Sequence, residues 1–502
     1  MSEATLERGL NALREQIDTP IALFFSSCTH CGMCATACLF YTETENPAYT
    51  PINKVEPLRR LWEQEYTLVG RIKKALGMSK PITDAELEEW QEYAYNACSL
   101  CGRCTMVCPV GNDITYMIRK MREGMAASGH TPEGLVGAST RAVKIGSPMG
   151  VKLPALQAQA RHVEKDTGIK IPFDVEGAEY LLLMSSMEIM NYPEYLEAVS
   201  KIFNAAGKSW TISSEAFEAT NSGIQIGSSD IARELVSRVV NAAEKLKVKT
   251  VISPECGHAY TAIRWEGPNL IGRPFPFHVN HILEVLDEFR EQGLLNTEGF
   301  EDAKMTFHDP CQLVRRGGVV QQPRNLLNMV ATDFVEMKDH GIMNWCCGAG
   351  GGVSANEDAE ELKMQAFNRK KHQLEELHVD TLVTACANCR IQIEEGLEEL
   401  VAEVVVRGDV GPASGAGVPS PQEPEPLQGT ERAQGTAVPT GECLAVAGED
   451  ADDLDGVAGL PGSLGVAPPR TDAPLEDPRP VDLRIENAQG RPGPVQGLSL
   501  IH

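Results

Sequence analysis

The spacing of the cysteines constrains this chain more than any other feature of its sequence. Two runs share the pattern Cys-x-x-Cys-x-x-Cys-x-x-x-Cys, and they consist of Cys28, Cys31, Cys34 and Cys38, then Cys98, Cys101, Cys104 and Cys108. Three thiolates two residues apart wrap three irons of a cubane cluster, while the fourth points towards the other cluster in two-cluster proteins. The expected ligand sets for two 4Fe-4S clusters are therefore Cys28, Cys31, Cys34 and Cys108, and Cys98, Cys101, Cys104 and Cys38.

Zinc is the alternative metal for such runs. Structural zinc sites use paired Cys-x-x-Cys knuckles, and a third cysteine at this spacing serves no tetrahedral zinc. The runs therefore favour two cubane clusters. Leu39 stands where a proline usually follows the fourth cysteine, whereas Pro109 is present in the second run. This difference removes no ligand.

A third cysteine group lies further along the chain and combines a single cysteine, an adjacent pair and a Cys-x-x-Cys: Cys311, Cys346, Cys347, Cys386 and Cys389. Five thiols are one ligand more than a cubane cluster needs, which indicates an unusual cluster with chemistry at its iron. Cys386 and Cys389 alone would suit a thioredoxin-like dithiol or half of a zinc ribbon. An adjacent cysteine pair is rarely used for zinc, so the five together favour a cluster.

The glycines that follow Cys347 suggest two alternatives. A dinucleotide-binding loop is one of them, but Val353 stands where its last glycine should be. Closely approaching backbone around a cluster explains the glycines better.

Length and charge limit the classes of protein. A chain of 502 residues is longer than one hydrophobic core normally serves, so more than one domain is expected. A net charge of -25 argues against nucleic acid as a partner, because phosphates would be repelled. No long apolar run occurs, and residues 1–23 lack the pattern of a signal peptide. We expect a cytoplasmic protein, where clustered cysteines are metal ligands rather than disulfides.

The pattern of apolar residues predicts an α + α/β multidomain chain. Helical spacing is found in residues 55–76, 84–95, 231–246 and 358–377, and short buried strands are predicted in residues 180–184, 250–252, 305–307 and 381–383. The predicted organisation is an all-α ferredoxin-like domain with two 4Fe-4S clusters at 1–127, a connector at 128–174, two α/β repeats at 175–275 and 276–407, and a disordered tail at 408–502.

An internal repeat supports the two α/β units. Residues 246–253 align with residues 377–384 at an offset of 131, and the same register places Glu255 on Cys386 and His258 on Cys389. The first copy is therefore degenerate, since Cys256 is the one cysteine it retains. Beyond residue 408 the sequence has no aromatic residue and 14 prolines, too little to offset its ordering entropy. Cys443 in this tail is expected to be a bystander.

The third cysteine group and its context, Phe307-His308-Asp309-Pro310-Cys311-Gln312-Leu313-Val314-Arg315-Arg316-Gly317-Gly318, resemble the CCG domain of the heterodisulfide reductase family. Two ferredoxin runs followed by two CCG repeats are similar to the D-type component of heterodisulfide reductase. They are more similar to the DsrK-type component of membrane-bound sulfur-metabolism complexes, in which the first copy is degenerate. The resemblance covers residues 21–402.

The resemblance implies that Cys311, Cys346, Cys347, Cys386 and Cys389 hold one noncubane 4Fe-4S cluster at which a disulfide or trisulfide is cleaved. The first repeat, the degenerate one, would hold none. Together with the two cubane clusters, this makes the chain an iron-sulfur oxidoreductase acting on a sulfur group.

The expected role is that of a catalytic subunit in a membrane-associated complex. Electrons would come from a quinol-oxidising or cytochrome-bearing membrane subunit and reach a small disulfide or a sulfur-carrier protein of the DsrC type. Attachment to the inner membrane would be peripheral, through that partner subunit. The alternative is the electron-transfer subunit of a flavin-linked glycolate, lactate or glycerol-3-phosphate dehydrogenase, and an assembly scaffold with purely structural clusters is a third interpretation.

Three residues are candidates for catalysis beyond the cluster ligands. His308 and His258 flank cluster positions and titrate near neutral pH, so each is a candidate proton donor; a buried histidine that merely binds backbone is the alternative. Cys256 either contacts the substrate sulfur or is inert in the core. Arg315 and Arg316 are candidate anion-binding residues, against the alternative that they are merely solvated.

Overall fold

The computed structural model describes residues 3–219, 221–254, 257–295, 301–398 and 405–406. Cys256 and the predicted disordered tail at 408–502 lie outside these residues. The N-terminal part is helical: α1 Glu3–Glu15, α2 Thr19–Ser27, α3 Leu39–Thr44, α4 Glu56–Tyr66, α5 Leu68–Ala75, α6 Asp84–Gln91, α7 Arg103–Met106, α8 Ile114–Ala127, α9 Glu133–Ile145 and α10 Leu153–Thr167. Among the described helices, none is both long and apolar enough to cross a bilayer.

The helix predicted at 55–76 is two helices. Thr67 separates α4 from α5 because its backbone is extended, and its side chain accepts a hydrogen bond from the Gly70 amide. That bond satisfies one of the free amides at the start of a helix and fixes a new helix axis. The segment predicted at 84–95 also changes character, because α6 passes into a π-helical turn at Glu92–Asn96. Such turns are frequent at functional sites, and this one leads directly to Cys98.

The stretch 128–174, predicted as a connector, contains the helices α9 and α10. Leu135 and Ala142 of α9, and Leu156 and Val163 of α10, are buried at helical spacing. A glycine ends each of these helices. Gly146 and Gly168 adopt left-handed conformations at their C-caps, where a residue without Cβ is favoured.

Two small parallel sheets follow the helical part. Their strands are β1 Tyr180–Leu182, β2 Trp210–Thr211, β3 Thr250–Ser253, β4 His278–His281, β5 Glu301–His308, β6 Ala331–Phe334, β7 Thr381–Thr384 and β8 Val405–Val406. The accompanying helices are α11 Ser186–Asn191, α12 Glu194–Ala205, α13 Ser222–Ile226, α14 Ser229–Leu246, α15 Gly257–Thr261, α16 Gly267–Ile271, α17 Ile282–Glu291, α18 Gln321–Val330, α19 Glu360–Leu377 and α20 Ala387–Glu398. The four predicted strands are the two inner strands of each sheet, where burial makes the apolar runs continuous.

The two sheets share one strand order. The first is β2-β1-β3-β4 and the second is β6-β5-β7-β8. Thr250 begins β3 and Thr381 begins β7, at the offset of the sequence repeat. Both sheets contribute to one apolar core, which contains Ile252, Phe307 and Val383. The carboxyl ends of β5 and β7 lie side by side, since His308 pairs with Thr384, so the cysteines that follow these strands come together there.

Candidate metal centres

Two cavities are each lined by three cysteines of one run and the fourth cysteine of the other run. A cavity of about 250 Å³ is lined by the first three cysteines of one run and the last of the other: Cys28, Cys31, Cys34 and Cys108. We call these the outer set, because Cys31 is exposed. A second cavity is lined by Cys38, Cys98, Cys101 and Cys104, which we call the inner set. The structure therefore groups Cys108 with the first run and Cys38 with the second.

The two loops repeat one backbone shape. His30 and Gly32 have positive φ in the first loop, and Leu100 and Gly102 have positive φ at the corresponding positions of the second. Non-glycine residues seldom adopt this conformation, so its repetition at His30 and Leu100 indicates a shared requirement. The turns bring three thiols of each run around one cavity.

The buried ammonium group of Lys54 shows whether the inner set fits an anionic cluster. Lys54 is 1% exposed, and its Nζ lies 3.4 Å from Cys38 Sγ and donates to the Ala97 carbonyl. Among the described residues, no carboxylate lies within ion-pair distance of Lys54. A buried charge is costly unless it is compensated. An iron-sulfur cluster on the inner thiolates would supply the missing negative charge, so these residues fit the group.

Replacing Lys54 by methionine is expected to make the midpoint potential of the inner cluster more negative. Reduction adds negative charge beside the ammonium, and a charge-assisted hydrogen bond is worth about 1.5–3 kcal/mol, which corresponds to about 60–130 mV for one electron. Redox titration followed by EPR measures the shift. Exposed Lys144→Met is the control, and an unchanged potential in Lys54→Met would show that the ammonium does not act on this cluster.

The exchanged fourth ligands give a second prediction. Cys108→Ala should leave the same EPR spectrum as Cys31→Ala, because both changes damage the outer cluster. Cys38→Ala should match Cys104→Ala, because both damage the inner cluster. If Cys108→Ala instead matched Cys104→Ala, each run would bind its own cluster and the proposed ligand sets would be incorrect.

The third cysteine group forms one continuous cluster of buried thiols. Cys311 Sγ lies 3.6 Å from Cys346 Sγ, and Cys347 Sγ lies 3.4 Å from Cys389 Sγ. Cys346 also contacts Cys347, and Cys389 contacts Cys386. Cys311 follows β5, and Cys386 and Cys389 stand around the start of α20 after β7. We call these residues the five-cysteine set.

A second buried ammonium lies near the five-cysteine set. Lys370 of α19 is fully buried, and its Nζ contacts Met337 Sδ at 3.3 Å and Gln373 Oε1 at 3.1 Å. Burial lowers the pKa of Lys370 to about 8, while negative charge on Asp309, Cys346 and Cys347 opposes that shift. No ion pair of Lys370 occurs among the described residues. A cationic group in this position fits an anionic cluster on the five thiols.

His308 joins the five-cysteine set. A ring nitrogen of His308 and the thiols of Cys347 and Cys389 lie within 4.8 Å of one another. Neither ring nitrogen has a hydrogen-bond partner among the described residues, and the side chain is completely buried. Burial lowers the pKa of His308 well below its usual value, so the imidazole is neutral. The thiols, or a group bound by them, are therefore the neighbours of this ring nitrogen.

His258 lies elsewhere, between the inner set and the glycines after Cys347. Its ring hydrogen bonds to the Ser99 carbonyl and lies against Gly350. Burial, with the charges of Arg122 and Arg316, lowers the pKa of His258 to about 3. The imidazole is therefore neutral at physiological pH, and a proton-donor role for His258 stays a prediction.

The guanidinium of Arg315 is hydrogen-bonded within the chain. It donates to the carbonyls of Ile342, Cys101 and Asn344, and an anion-binding role for Arg315 stays a prediction. These bonds connect the inner-set loop with the segment that leads to Cys346. Arg316 has a weaker contact, at 3.9 Å from Asp113.

The inner set touches the five-cysteine set. The thiols of Cys101 and Cys346 are neighbours, and the interaction with Cys346 is the largest cause of the raised pKa of Cys101. Arg103 stacks on the ring of Trp345, with its guanidinium carbon 3.5 Å from the ring centroid. Gln312 Nε2 donates to the Leu100 carbonyl at 2.6 Å. Side chains on both sides of the interface thus hold the two thiol groups against each other.

Arg122 stabilises the same contact between the inner-set loop and the loop that follows Cys347. It is completely buried and donates to four carbonyls, those of Ala94, Cys98, Gln225 and Gly351. Gly351 approaches Ser99 so closely that a Cβ would lie 2.5 Å from the Ser99 carbonyl carbon. The glycines after Cys347 therefore allow the two loops to make contact. Sequence analysis missed Arg103, Arg122, Lys54 and Lys370, and the signal available for Arg103 was its place between Cys101 and Cys104.

The first sheet carries polar groups where the second carries cysteines. Ser186 follows β1 at the same distance as Cys311 follows the paired part of β5, counted from Tyr180 and Met305. Its amide and hydroxyl donate to Glu218, which is 7% exposed. Burial raises the pKa of Glu218 to about 7.

Glu218→Gln is expected to alter how stability depends on pH. The folded-state pKa of Glu218 is raised above the unfolded value, so its favourable contribution is present at acidic pH and is lost as pH rises towards 7. Relative to wild type, the variant should gain about 3 kcal/mol between pH 5 and pH 8. Urea unfolding under anaerobic conditions measures this, with exposed Glu88→Gln as the control. Parallel pH profiles for Glu218→Gln and wild type would contradict it.

Comparisons with known proteins agree with these sites. Residues 25–112 match the family model of the 4Fe-4S dicluster domain, and residues 305–394 match the cysteine-rich CCG domain. An Hdr-like menaquinol oxidoreductase iron-sulfur subunit 2 of Archaeoglobus fulgidus is 26% identical over 80% of this chain and 81% of its own length. The D-type component of the dihydromethanophenazine:CoB–CoM heterodisulfide reductase of Methanosarcina acetivorans is 28% identical over 76% of this chain and 91% of its own length.

A relative of another kind is also similar. The EtfAB:quinone oxidoreductase of Syntrophomonas wolfei is 26% identical over 76% of this chain and 56% of its own length. The two domain matches cover the cysteines of the outer, inner and five-cysteine sets, which lie in the order expected for this family. The chain therefore contains a 4Fe-4S dicluster domain and a CCG cysteine-rich domain, and over about three quarters of its length it is similar to heterodisulfide reductase-like iron-sulfur oxidoreductase subunits.

Proposed function

We propose that this chain is the catalytic subunit of a membrane-associated heterodisulfide reductase-like complex. Electrons from a quinol or cytochrome partner would enter at the outer set, pass through the inner set and reach the five-cysteine set, where a disulfide or trisulfide is reduced. The contact between Cys101 and Cys346 carries this proposal, because it joins a ferredoxin-like relay to the five-cysteine set.

The exposure of the three sets supports this direction. Cys31 of the outer set is exposed, whereas Cys98 and Cys104 of the inner set and all members of the five-cysteine set are buried. Cubane clusters transfer one electron at a time, and their potentials depend on hydrogen bonds and exposure. An external electron donor therefore has its closest approach at the outer set.

Two cubane clusters and one noncubane 4Fe-4S cluster are the proposed cofactors. The noncubane cluster, bound by the five-cysteine set, would supply a redox-active iron that accepts a substrate sulfur. Cleavage of one S–S bond consumes two electrons and two protons, and it releases two thiols from a disulfide or one thiol and one persulfide from a trisulfide. The chain's own residues exclude water from this site, hold an imidazole N–H beside Cys347 and Cys389, and place the Lys370 ammonium near the thiolates.

The names of the relatives support the chemical class of the proposed substrate. By name, two of the relatives are a menaquinol oxidoreductase subunit and a component of a CoB–CoM heterodisulfide reductase, so a quinol and a sulfur substrate both occur among them. We propose a disulfide or trisulfide, on a small molecule or a sulfur-carrier protein, as the substrate here. Cys256, which lies outside the described residues, is a further proposed substrate contact.

EPR on anaerobically purified protein tests the proposal. Addition of an oxidised disulfide or trisulfide carrier should change the signal of the noncubane cluster, whereas the same carrier with its thiols reduced or alkylated should not. His308→Ala should weaken the change without loss of iron, since it removes the N–H beside the thiols. No response to any disulfide or trisulfide in a fully loaded protein would remove the support for a reductase.

The similarity to the EtfAB:quinone oxidoreductase supports a second candidate. In this alternative the chain passes electrons between a flavoprotein and a quinone pool and performs no sulfur chemistry; a flavin-linked glycolate, lactate or glycerol-3-phosphate dehydrogenase would be an equivalent partner. Reduction of the clusters by a purified reduced flavoprotein, with no response to disulfides, would favour it.

A further inference from the structure

Helix α5 presents apolar side chains to solvent rather than to the core. Leu68, Val69 and Ile72 of α5, and Leu76 at its C-cap, are 76, 61, 52 and 68% exposed. Each helical residue turns the direction of its side chain by about 100°, so these four fall within one stripe about 100° wide. We call them the α5 stripe. A surface helix normally turns such a stripe towards the core, and here the orientation is reversed.

Packing of the opposite face explains this orientation. Gly70 is the buried residue of α5, and a Cβ there would lie 1.8 Å from the Glu63 carbonyl oxygen of α4. The two helices therefore meet through a residue without a side chain. This close contact leaves α5 no freedom to rotate its stripe inwards. Tyr66 and Met78, which flank the helix, are also more than half exposed.

The charge of this segment is opposite to that of the chain. Residues 67–83 contain four basic side chains and no acidic one, in a protein of net charge -25. Arg71 and Lys73 are exposed beside the stripe and have no ion pair among the described residues. Lys74 and Lys80 are exposed as well and make only loose pairs, at 3.4 Å with Glu65 and 3.3 Å with Glu86.

We propose that α5 binds an anionic phospholipid surface, with the α5 stripe inserted among the acyl chains and its basic neighbours among the headgroups. Exposed apolar residues flanked by Lys and Arg are the signature of helices that lie in the membrane interface. A second copy of this chain fits less well, because the basic residues beside the two α5 stripes would repel each other. The inference deepens the membrane association in the proposed function, but it stands on this surface and needs no sulfur chemistry.

Vesicle flotation of the full-length, iron-loaded protein tests the inference. Wild type should float with mixed phosphatidylcholine–phosphatidylglycerol vesicles at low salt, and far less with pure phosphatidylcholine vesicles or at high salt. The variant Leu68→Ser/Ile72→Ser/Leu76→Ser should lower the partition coefficient about tenfold or more. Arg71→Glu/Lys73→Glu should abolish the preference for the anionic lipid.

A matched control changes three exposed apolar residues elsewhere. Val136, Val175 and Met190 are 43, 44 and 56% exposed, and the variant Val136→Ser/Val175→Ser/Met190→Ser should float like wild type. The inference would be overturned if wild type did not float with anionic vesicles, or if the stripe variant floated with them as well as wild type does. The same holds if the stripe variant loses binding to a purified membrane subunit but not to lipid.

Iron content and the EPR response to disulfides separate this inference from the proposed function. Both should be unchanged in the stripe variant, because α5 lines neither cubane cavity and contains no member of the cysteine sets. Loss of the disulfide response in wild type, with flotation intact, would contradict only the reductase.

Discussion

Cys347→Ser is expected to remove about one cluster of iron, roughly four atoms per chain, and to abolish disulfide reduction. Cys347 lies between Cys346 and Cys389 and is 1% exposed, so its loss interrupts the five-cysteine set at its centre. The ferredoxin-type spectra of the outer and inner sets should remain, since their cavities do not contain Cys347. Iron analysis, Mössbauer and EPR spectroscopy of anaerobic protein measure these effects.

Cys443→Ser is the matched control for this variant, because Cys443 belongs to none of the three cysteine groups in the sequence. It should retain all iron and full activity. If Cys347→Ser lost all three clusters, the iron sites would depend on one another for folding. If it lost none, or if wild type held only about eight irons with no third magnetic species, the five-cysteine set would bind no cluster.

Arg122→Met is expected to cause the largest loss of stability among single substitutions. The methionine keeps much of the volume but leaves four carbonyls without their donor, among them those of Cys98 and Gly351. Loss of a buried, hydrogen-bonded charge should lower the free energy of unfolding by about 4–5 kcal/mol and the apparent Tm by about 10 °C. Thermal unfolding followed by circular dichroism under anaerobic conditions measures the change.

Arg122→Lys provides the conservative control. It keeps the positive charge, but an ammonium cannot reach four carbonyls in the fixed geometry of a guanidinium, so an intermediate loss is expected. Arg122 also holds the inner-set loop against the loop that follows Cys347, so both variants should slow electron transfer from the inner set to the five-cysteine set. An Arg122→Met protein within about 1 kcal/mol of wild type would contradict a central role for this residue.

The contrast between Arg315 and Arg122 illustrates what a sequence can reveal about side-chain roles. Arg315 is a candidate anion-binding residue by its place in the cysteine-rich motif, and in the structure its guanidinium donates to three backbone carbonyls. Arg122 had no motif around it, although it is the more deeply buried. Motifs mark chemistry, whereas a structural arginine is defined by acceptors that are distant in sequence.

The sequence by itself determined the metal chemistry, the family and the inner strands of both sheets. Cysteine spacing is local and follows from the geometry of a cluster, and buried parallel strands such as β3 and β7 have continuous apolar runs. It left α9 and α10 unassigned within residues 128–174, where glycines stand at the C-caps of both helices. Local patterns thus identify ligands and elements but not how elements end.

Only the tertiary structure decided which thiols and charges meet. Cys101 and Cys346 are in contact although they are far apart in the sequence, and Arg122 reaches the Gly351 carbonyl 229 positions away. Lys54 and Lys370 indicate anionic sites because both are buried near thiols, and only the folded chain brings them there. Helical and strand periodicity records which face of an element is apolar, but not which distant element covers that face. The path between the cysteine sets therefore exists only in the folded chain.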